Sequence, residues 1–284
     1  EMGTGKSKVL IDNLGMLYQE GEINFALIIA PKGVYRNWTS KEIPEHMSND
    51  IPHRVIRWVA SPNKTQQAEM RSVGEAFEGL TIFVMNVESF SSVKGRTAGE
   101  WMGRTFGRNG LIAIDESTTI KNHKAKRTKA LMKIASAFKY KRLLTGSPVT
   151  KSPMDLYSQC EFLRSGLLGY DSFYAFQGRY AVVQRKTMGS HAFQQIVGFR
   201  NLDELTFKID QFSYRVLKQD CLDLPDMIYT KREVELTRQQ KKYYKELRNR
   251  MVVQAAGEEI TAVNAAVNMN KLLQISCGAI YTDK

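Results

Sequence analysis

Glu1-Met2-Gly3-Thr4-Gly5-Lys6-Ser7-Lys8 opens the chain, and the reading of this stretch decides the fold. It has the pattern of the second half of a phosphate-binding loop. Gly3 and Gly5 let backbone N–H groups turn towards phosphate oxygens. The Lys6 ammonium suits the β- and γ-phosphates of a nucleotide, and the Ser7 hydroxyl suits Mg²⁺. Gly3, Thr4, Gly5, Lys6, Ser7 and Lys8 are the candidate nucleotide-binding residues. A helix should follow directly, with its N-terminus aimed at the anion. Leu10, Leu14 and Leu17 share one face of that helix, and Gly21 fits its C-terminal cap. The loop's first glycine and the strand before it are expected upstream of Glu1. By itself, Gly-Thr-Gly-Lys-Ser fits an ordinary turn equally well.

The segments that follow alternate between strand-like and helix-like. Phe25–Ala30, Arg54–Val59, Thr81–Met85, Leu111–Ile114 and Arg142–Leu144 are short apolar runs bounded by Pro, Gly, Asn or charge. Buried parallel strands read this way. Between them, Ala125–Phe138 is helical by pattern, with Leu131, Ile134 and Phe138 inward. The alternation predicts a doubly wound α/β domain over residues 1–165. From Gly166 the character changes: Tyr170, Phe173, Tyr174, Phe176 and Tyr180 crowd together, with frequent glycine-containing turns. A helix is expected over Asn201–Phe212, a break at Pro225, and helix again over Thr237–Cys277. Residues 166–284 therefore read as a second, mainly helical region.

Two strand ends carry the remaining chemistry. Leu111-Ile-Ala-Ile-Asp115-Glu116 is an apolar strand ending in two carboxylates. Asp115 suits Mg²⁺, usually through water, and Glu116 suits the orientation or deprotonation of an attacking water. A strand of an open α/β sheet delivers such a pair to the carboxyl edge, where ligands bind. A solvated strand end has the same look, but the pairing with a phosphate loop is much rarer. Leu143-Leu144-Thr145-Gly146-Ser147-Pro148 again runs from strand to polar turn. Thr145, Gly146 and Ser147 are coupling candidates, with hydroxyls small enough to touch Asp115 and Glu116; a plain Gly-Ser-Pro turn is the alternative.

Composition narrows the class. The 284 residues carry 41 Lys and Arg against 29 Asp and Glu, a formal charge of +12, which favours a polyanionic partner such as nucleic acid. Hydrophobic content of 43% is enough for a real core. No apolar run approaches the roughly 18–20 residues of a membrane helix, so no membrane partner is expected. Cys160, Cys221 and Cys277 lack metal-type spacing and read as core thiols of a reducing, intracellular compartment, the cytoplasm if the source is bacterial or phage. The four histidines are scattered, so a zinc site is not expected.

Taken in order, the motifs resemble the Swi/Snf-type ATPases of helicase superfamily two over nearly the whole chain. Glu1–Ser7 resembles motif I, Leu27–Trp38 with Glu42 motif Ia, and Ile82–Glu88 motif Ib. Asp115–Thr118 followed by Ile120-Lys121-Asn122 resembles motif II, and Leu143–Pro148 followed by Asp155-Leu156-Tyr157 motif III. Gly198–Leu202, Tyr214–Lys218 and Leu224-Pro225 resemble the segment leading to a second lobe, and Lys271–Cys277 the helix before it. The resemblance implies a RecA-like phosphate-loop NTPase lobe that binds MgATP, with Lys6, Asp115 and Glu116 as its catalytic residues. It further implies a second RecA-like lobe, bringing arginine fingers, that is missing from these 284 residues.

The resemblance also implies duplex DNA as partner, held by its backbone, with Lys32, Arg36, Asn37, Asn86 and Ser89 as contact candidates. Trp38 is expected to pack rather than to stack on a base. Lys121–Arg142, with nine basic residues and no acidic one, reads either as a DNA-facing patch or as a solvated helix face. Where the family has His in motif II this chain has Thr118, so contact between motifs II and III is expected to be made differently. Three readings compete: a duplex DNA translocase, a strand-separating helicase or restriction-type motor, and a nucleic-acid-binding fragment without turnover.

Overall fold

The computed structural model describes residues 3–188, 191–221, 223, 228–257 and 262–278. Glu1, Met2 and the Leu224-Pro225 step of the sequence reading lie outside them. The chain folds as two compact units, Glu1–Leu224 and Pro225–Lys284.

The first unit is built on a five-stranded, wholly parallel sheet. In chain order it contains α1 (Lys6–Gln19), β1 (Phe25–Ala30), β2 (His53–Arg57), α2 (Lys64–Arg71), β3 (Leu80–Asn86), α3 (Val93–Phe106), β4 (Gly110–Asp115), α4 (Lys126–Ala135), β5 (Tyr140–Leu144) and α5 (Leu156–Leu163). The strand order is β2-β3-β1-β4-β5. β1 lies at the centre, and all six of its residues are buried. Period-two alternation sends its side chains to both faces. Ala26, Ile28 and Ala30 join Leu10, Ile11 and Leu14 of α1 in one core. Phe25, Leu27 and Ile29 join Met102, Leu131, Ile134 and Phe162 in the other. Each such large side chain, fully buried, stabilises the fold by about 1.5–3 kcal/mol before the ordering entropy is counted.

The strand order puts a topological switch point between β1 and β4. From β1 the chain passes towards β3 and β2; from β4 it passes towards β5. The connections leaving the carboxyl ends of these two neighbours therefore run in opposite directions, as at the ligand-binding switch point of open α/β sheets.

Residues 166–221 depart from the helical reading. After α6 (Phe173–Tyr180) the chain forms an antiparallel hairpin, β6 (Ala181–Met188) and β7 (His191–Phe199), before α7 (Leu202–Asp210). The hairpin gives a weak sequence signal because Val182–Thr187 are exposed throughout, so no apolar face alternates with a polar one. A third core of Tyr157, Cys160, Leu168, Phe176, Tyr180 and Leu205 absorbs much of the aromatic cluster. Burial pushes the Cys160 thiol up to about 12, which makes it an inert core thiol. Cys221 and Cys277, in contrast, are exposed, which corrects their reading as core residues.

The second unit holds α8 (Arg238–Gly257) and α9 (Ala262–Ser276). Gln240 joins them, its Nε2 donating to the Ile275 carbonyl at 3.0 Å. On α8, Tyr244 and Leu247 are partly covered, Tyr243 is exposed, and the Met251 side chain lies outside the described set. Among the described residues, no helix is long and apolar enough to cross a membrane.

Candidate nucleotide and nucleic-acid site

Gly3 and Gly5 both adopt positive φ, +76° and +80°, and Gly5 caps α1. A Cβ at either position would meet nothing within 4 Å. The glycines therefore serve the left-handed backbone rather than a close contact, and the approach to the loop's N–H groups stays open. No acidic side chain stands in the first turn of α1, so the positive end of its dipole is left for an anion. Ser7 lies in that first turn, directly after Lys6. Lys8 points its charge elsewhere, pairing with Asp12 at 2.6 Å one turn on.

At the end of β4, Asp115 is gripped from several sides. Trp38 Nε1 donates to Oδ2 at 3.0 Å, and the Glu116 N–H donates to Oδ1 at 3.0 Å. Burial raises the Asp115 pKa above its ordinary value, opposed by these two donors and by the charge of Lys6. The charge of Lys6 thus acts on Asp115, although the loop and the strand end are distant in sequence. Glu42 acts in the opposite sense, raising the pKa further. A half-buried carboxylate whose charged form is disfavoured by burial is suited to a cation, which offsets that penalty.

This donor set fits Mg²⁺, which retains several waters and takes one or two carboxylates together with substrate phosphates. Among the described residues no cluster of three His, Cys, Asp or Glu forms an all-protein cage. Asp115 and the Ser7 hydroxyl are the groups that would hold the ion.

Glu116 sits in left-handed backbone, φ 52° and ψ 64°, one of two described non-glycine residues to do so. Such a conformation costs on the order of 1–3 kcal/mol and persists only where neighbours enforce it. It turns the chain sharply, from β4 into the 3₁₀ turn Ser117–Ile120.

The loops after β1 and β3 carry the other candidates. Lys32, Arg36 and Asn37 are exposed. Trp38, by contrast, is 1% exposed and packs in the lobe as expected. Glu88, which sequence reasoning placed in motif Ib without a role, ties the two loops together. It accepts from the Lys32 N–H at 3.1 Å and from Asn86 Nδ2 at 3.1 Å. Its only sequence signal is an acid two residues past Asn86, among donors. Ser89 is buried, and its hydroxyl donates to the Asn86 carbonyl at 2.6 Å. Asn86 and Ser89 thus shape the loop, while Lys32, Arg36 and Asn37 stand outward.

The Thr145 and Ser147 hydroxyls make their hydrogen bonds within the turn that follows β5, whose Leu144 pairs with Asp115. Thr145 Oγ1 accepts from the Ser147 N–H, and Ser147 Oγ donates to the Val149 carbonyl. Each hydroxyl is used within its own turn. The nine basic residues of 121–142 are likewise divided. Lys121, Lys133 and Lys139 pair with Asp155, Glu100 and Glu22, and Arg142 Nε donates to Asn13. What remains outward centres on Lys124, Lys126 and Lys129.

A phosphate loop and an Asp-Glu strand end on one edge of a parallel sheet are the mark of phosphate-loop NTPases, and the first unit has this RecA-like architecture. The narrower membership comes from comparison with known proteins. The SNF2-related domain matches residues 1–278, and the chain belongs to that family. A putative protein p41 of Acyrthosiphon pisum secondary endosymbiont phage 1 is 26% identical over 295 residues, covering 99% of this chain and 60% of that protein. An uncharacterized ATP-dependent helicase of Mycoplasma pneumoniae is 27% identical, covering 97% of this chain and 23% of its own length. Among solved structures, the Sulfolobus solfataricus SWI2/SNF2 ATPase core in complex with dsDNA is similar in fold, with a TM-score of 0.55. The match spans 97% of this chain and 52% of that one, at 24% identity. The chain thus spans less than two thirds of the length of each of these relatives.

Proposed function

We propose that this chain is the first motor lobe of an ATP-driven translocase on double-stranded DNA. The observation that carries the reading is the combination of a helix-capping glycine loop and a strand-end carboxylate pair in one parallel-sheet unit, with the Lys6 charge acting on Asp115. In this proposal the N–H groups of Gly3 to Lys6 and the Lys6 ammonium hold the β- and γ-phosphates of ATP. Ser7 and Asp115 would hold Mg²⁺, which when bound would supply positive charge against the phosphates. Glu116, aimed by its left-handed backbone, orients and deprotonates the attacking water. Thr4 completes the loop, and Lys8 supports it from the first turn of the helix, where it pairs with Asp12.

Lys32, Arg36 and Asn37 contact phosphates of one DNA strand, on loops shaped by Asn86, Glu88 and Ser89. Backbone contacts of this kind carry no sequence information, as a motor that must move along any duplex requires. The Thr145-Gly146-Ser147 turn couples nucleotide state to DNA. A second lobe, in the remainder of a longer protein, supplies arginine fingers and closes on the nucleotide. The reaction belongs inside the cell, where ATP and DNA are found.

The deciding experiment compares full-length wild type with Lys6→Ala. Wild type hydrolyses ATP in a duplex-stimulated manner and displaces a triplex strand without separating a forked duplex; Lys6→Ala does neither. Unchanged turnover in Lys6→Ala removes the motif I assignment, and efficient fork opening replaces translocase with helicase. The 284 residues alone should show negligible turnover, because one lobe lacks the arginine fingers. Robust hydrolysis by the purified 284 residues would contradict this.

A further inference from the structure

One helix, α5, holds both turns that follow the chemistry-bearing strands. Gln159 is 3% exposed, and each polar atom of its side chain is engaged. Its Oε1 accepts from the Ser117 hydroxyl at 2.5 Å. Its Nε2 donates to the Pro148 carbonyl at 2.8 Å and to the Asp155 carbonyl at 2.8 Å. Next to it, Ser158 is fully buried and donates to the Ile120 carbonyl at 2.8 Å. The 3₁₀ turn after Glu116 is therefore fastened to α5 at both ends, Ser117 by Gln159 and Ile120 by Ser158. At the start of α5, the Asp155 carboxylate accepts from the N–H groups of Thr150 and Lys151 and from the Thr150 hydroxyl. Lys121 Nζ reaches both Thr150 Oγ1 and Asp155. The turn after β5 is thus held to the same helix.

The Gln159 amide has one workable orientation. Rotated by half a turn, Oε1 would face two carbonyl oxygens with no donor between them. The buried amide therefore distinguishes a Pro148 carbonyl in place from one withdrawn. On the other side of the bridge stands Ser117, 1% exposed and immediately after Glu116. The left-handed backbone of Glu116 needs restraint on both sides. Asp115 Oδ1, accepting from the Glu116 N–H, supplies one; the Ser117–Gln159 bond supplies the other. Resting on the proposed function above, we propose that Gln159 is a positioning residue that holds Glu116 in its catalytic geometry only while the turn after β5 is docked. Gln159 thereby makes the contact between the two turns that Thr118, in place of a histidine, leaves open.

The test uses the full-length protein, with kcat and KM for duplex-stimulated ATP hydrolysis and the affinity for a fluorescent ATP analogue. Ser117→Ala and Gln159→Leu should each lower kcat by about 10- to 100-fold, as loss of a partner that orients an active-site ligand does. KM and analogue affinity should stay unchanged, because the phosphate loop is untouched. The double variant should be no slower than Gln159→Leu, which already removes the one bond that Ser117→Ala removes. Gln159→Glu should be as slow as Gln159→Leu, because its carboxylate faces the two carbonyls. Unchanged kcat in Ser117→Ala, losses that multiply in the double variant, or analogue affinity falling in step with kcat would each overturn the proposal. If Gln159→Leu fails to fold, Ser117→Ala, which removes a single oxygen, decides alone. Should Lys6→Ala abolish hydrolysis while Ser117→Ala leaves kcat intact, this inference fails and the assignment of the lobe stands.

Discussion

Asp115 is half-buried at the end of β4, and desolvation lifts its pKa against the pull of Trp38, the Glu116 N–H and Lys6. A carboxyl whose pKa is higher in the folded than in the unfolded chain favours folding in its neutral form. That contribution is complete below the unfolded value of about 3.9 and is lost as pH rises through the raised folded value. In its ionised form Asp115 therefore counts against folding, and a bound cation would offset this. In Asp115→Asn this titration is gone. Its melting temperature relative to wild type should therefore climb between pH 4 and neutrality, while hydrolysis by the full-length protein falls at every pH. A difference in melting temperature that does not vary with pH would mean that burial is not what shifts this carboxyl. The sequence marked Asp115 as a ligand, because an apolar run ending in Asp-Glu reads directly. It did not reveal the Trp38 indole against Oδ2, which depends on how the chain after β1 returns over the sheet edge. Gln159 was equally hidden: a glutamine in a helix reads as solvated until its neighbours are known.

At the level of elements, the strands were legible and the close packing of helices was not. β1, β3 and β4 carry uninterrupted apolar runs because both their faces are covered, so composition alone announces them. α3, with Gly95, Gly99 and Gly103, reads poorly as a helix because glycine disfavours helix by about 1 kcal/mol per residue relative to alanine. Packing explains the glycines. A Cβ at Gly95 would lie 2.2 Å from the Ser89 carbonyl oxygen, so the helix can approach the turn after β3 only without one. Gly95→Ala gains helix propensity yet must push α3 away from Ser89. It should destabilise by about 1–3 kcal/mol, the usual range for an overfilled core, read from the denaturant midpoint. The same displacement should loosen the turn whose Asn86 and Glu88 brace Lys32, so DNA affinity should fall with it. A midpoint raised by the alanine, as propensity alone demands, would show that the contact yields. The β6–β7 hairpin stayed hidden for a different reason. Its strands lie open to solvent, and neither the two-residue period nor a continuous apolar run appears.

For the whole molecule, the charge of +12 sets how binding responds to salt, and its placement sets which residues matter. Several cations are already neutralised within the fold: Lys8 by Asp12, Lys133 by Glu100, Lys139 by Glu22 and Arg179 by Glu204. Net charge therefore says little about which face meets a polyanion. Lys32 and Arg36 are exposed and stand on loops braced by Glu88. If each neutralises one phosphate of a duplex, each releases about one condensed counterion on binding. The slope of log affinity against log salt then falls by roughly 0.9 for each one removed. Lys32→Ala with Arg36→Ala in the full-length protein should accordingly flatten the slope by about 1.8 units, equally for duplexes of unrelated sequence, since phosphate contacts carry no base information. The matching control is Lys133→Ala with Lys139→Ala, which takes the same amount of positive charge from sites paired with Glu100 and Glu22. It should leave the slope where it was. A slope that responds alike to both pairs of changes would show that overall charge, rather than the edge carrying Lys32 and Arg36, meets the DNA.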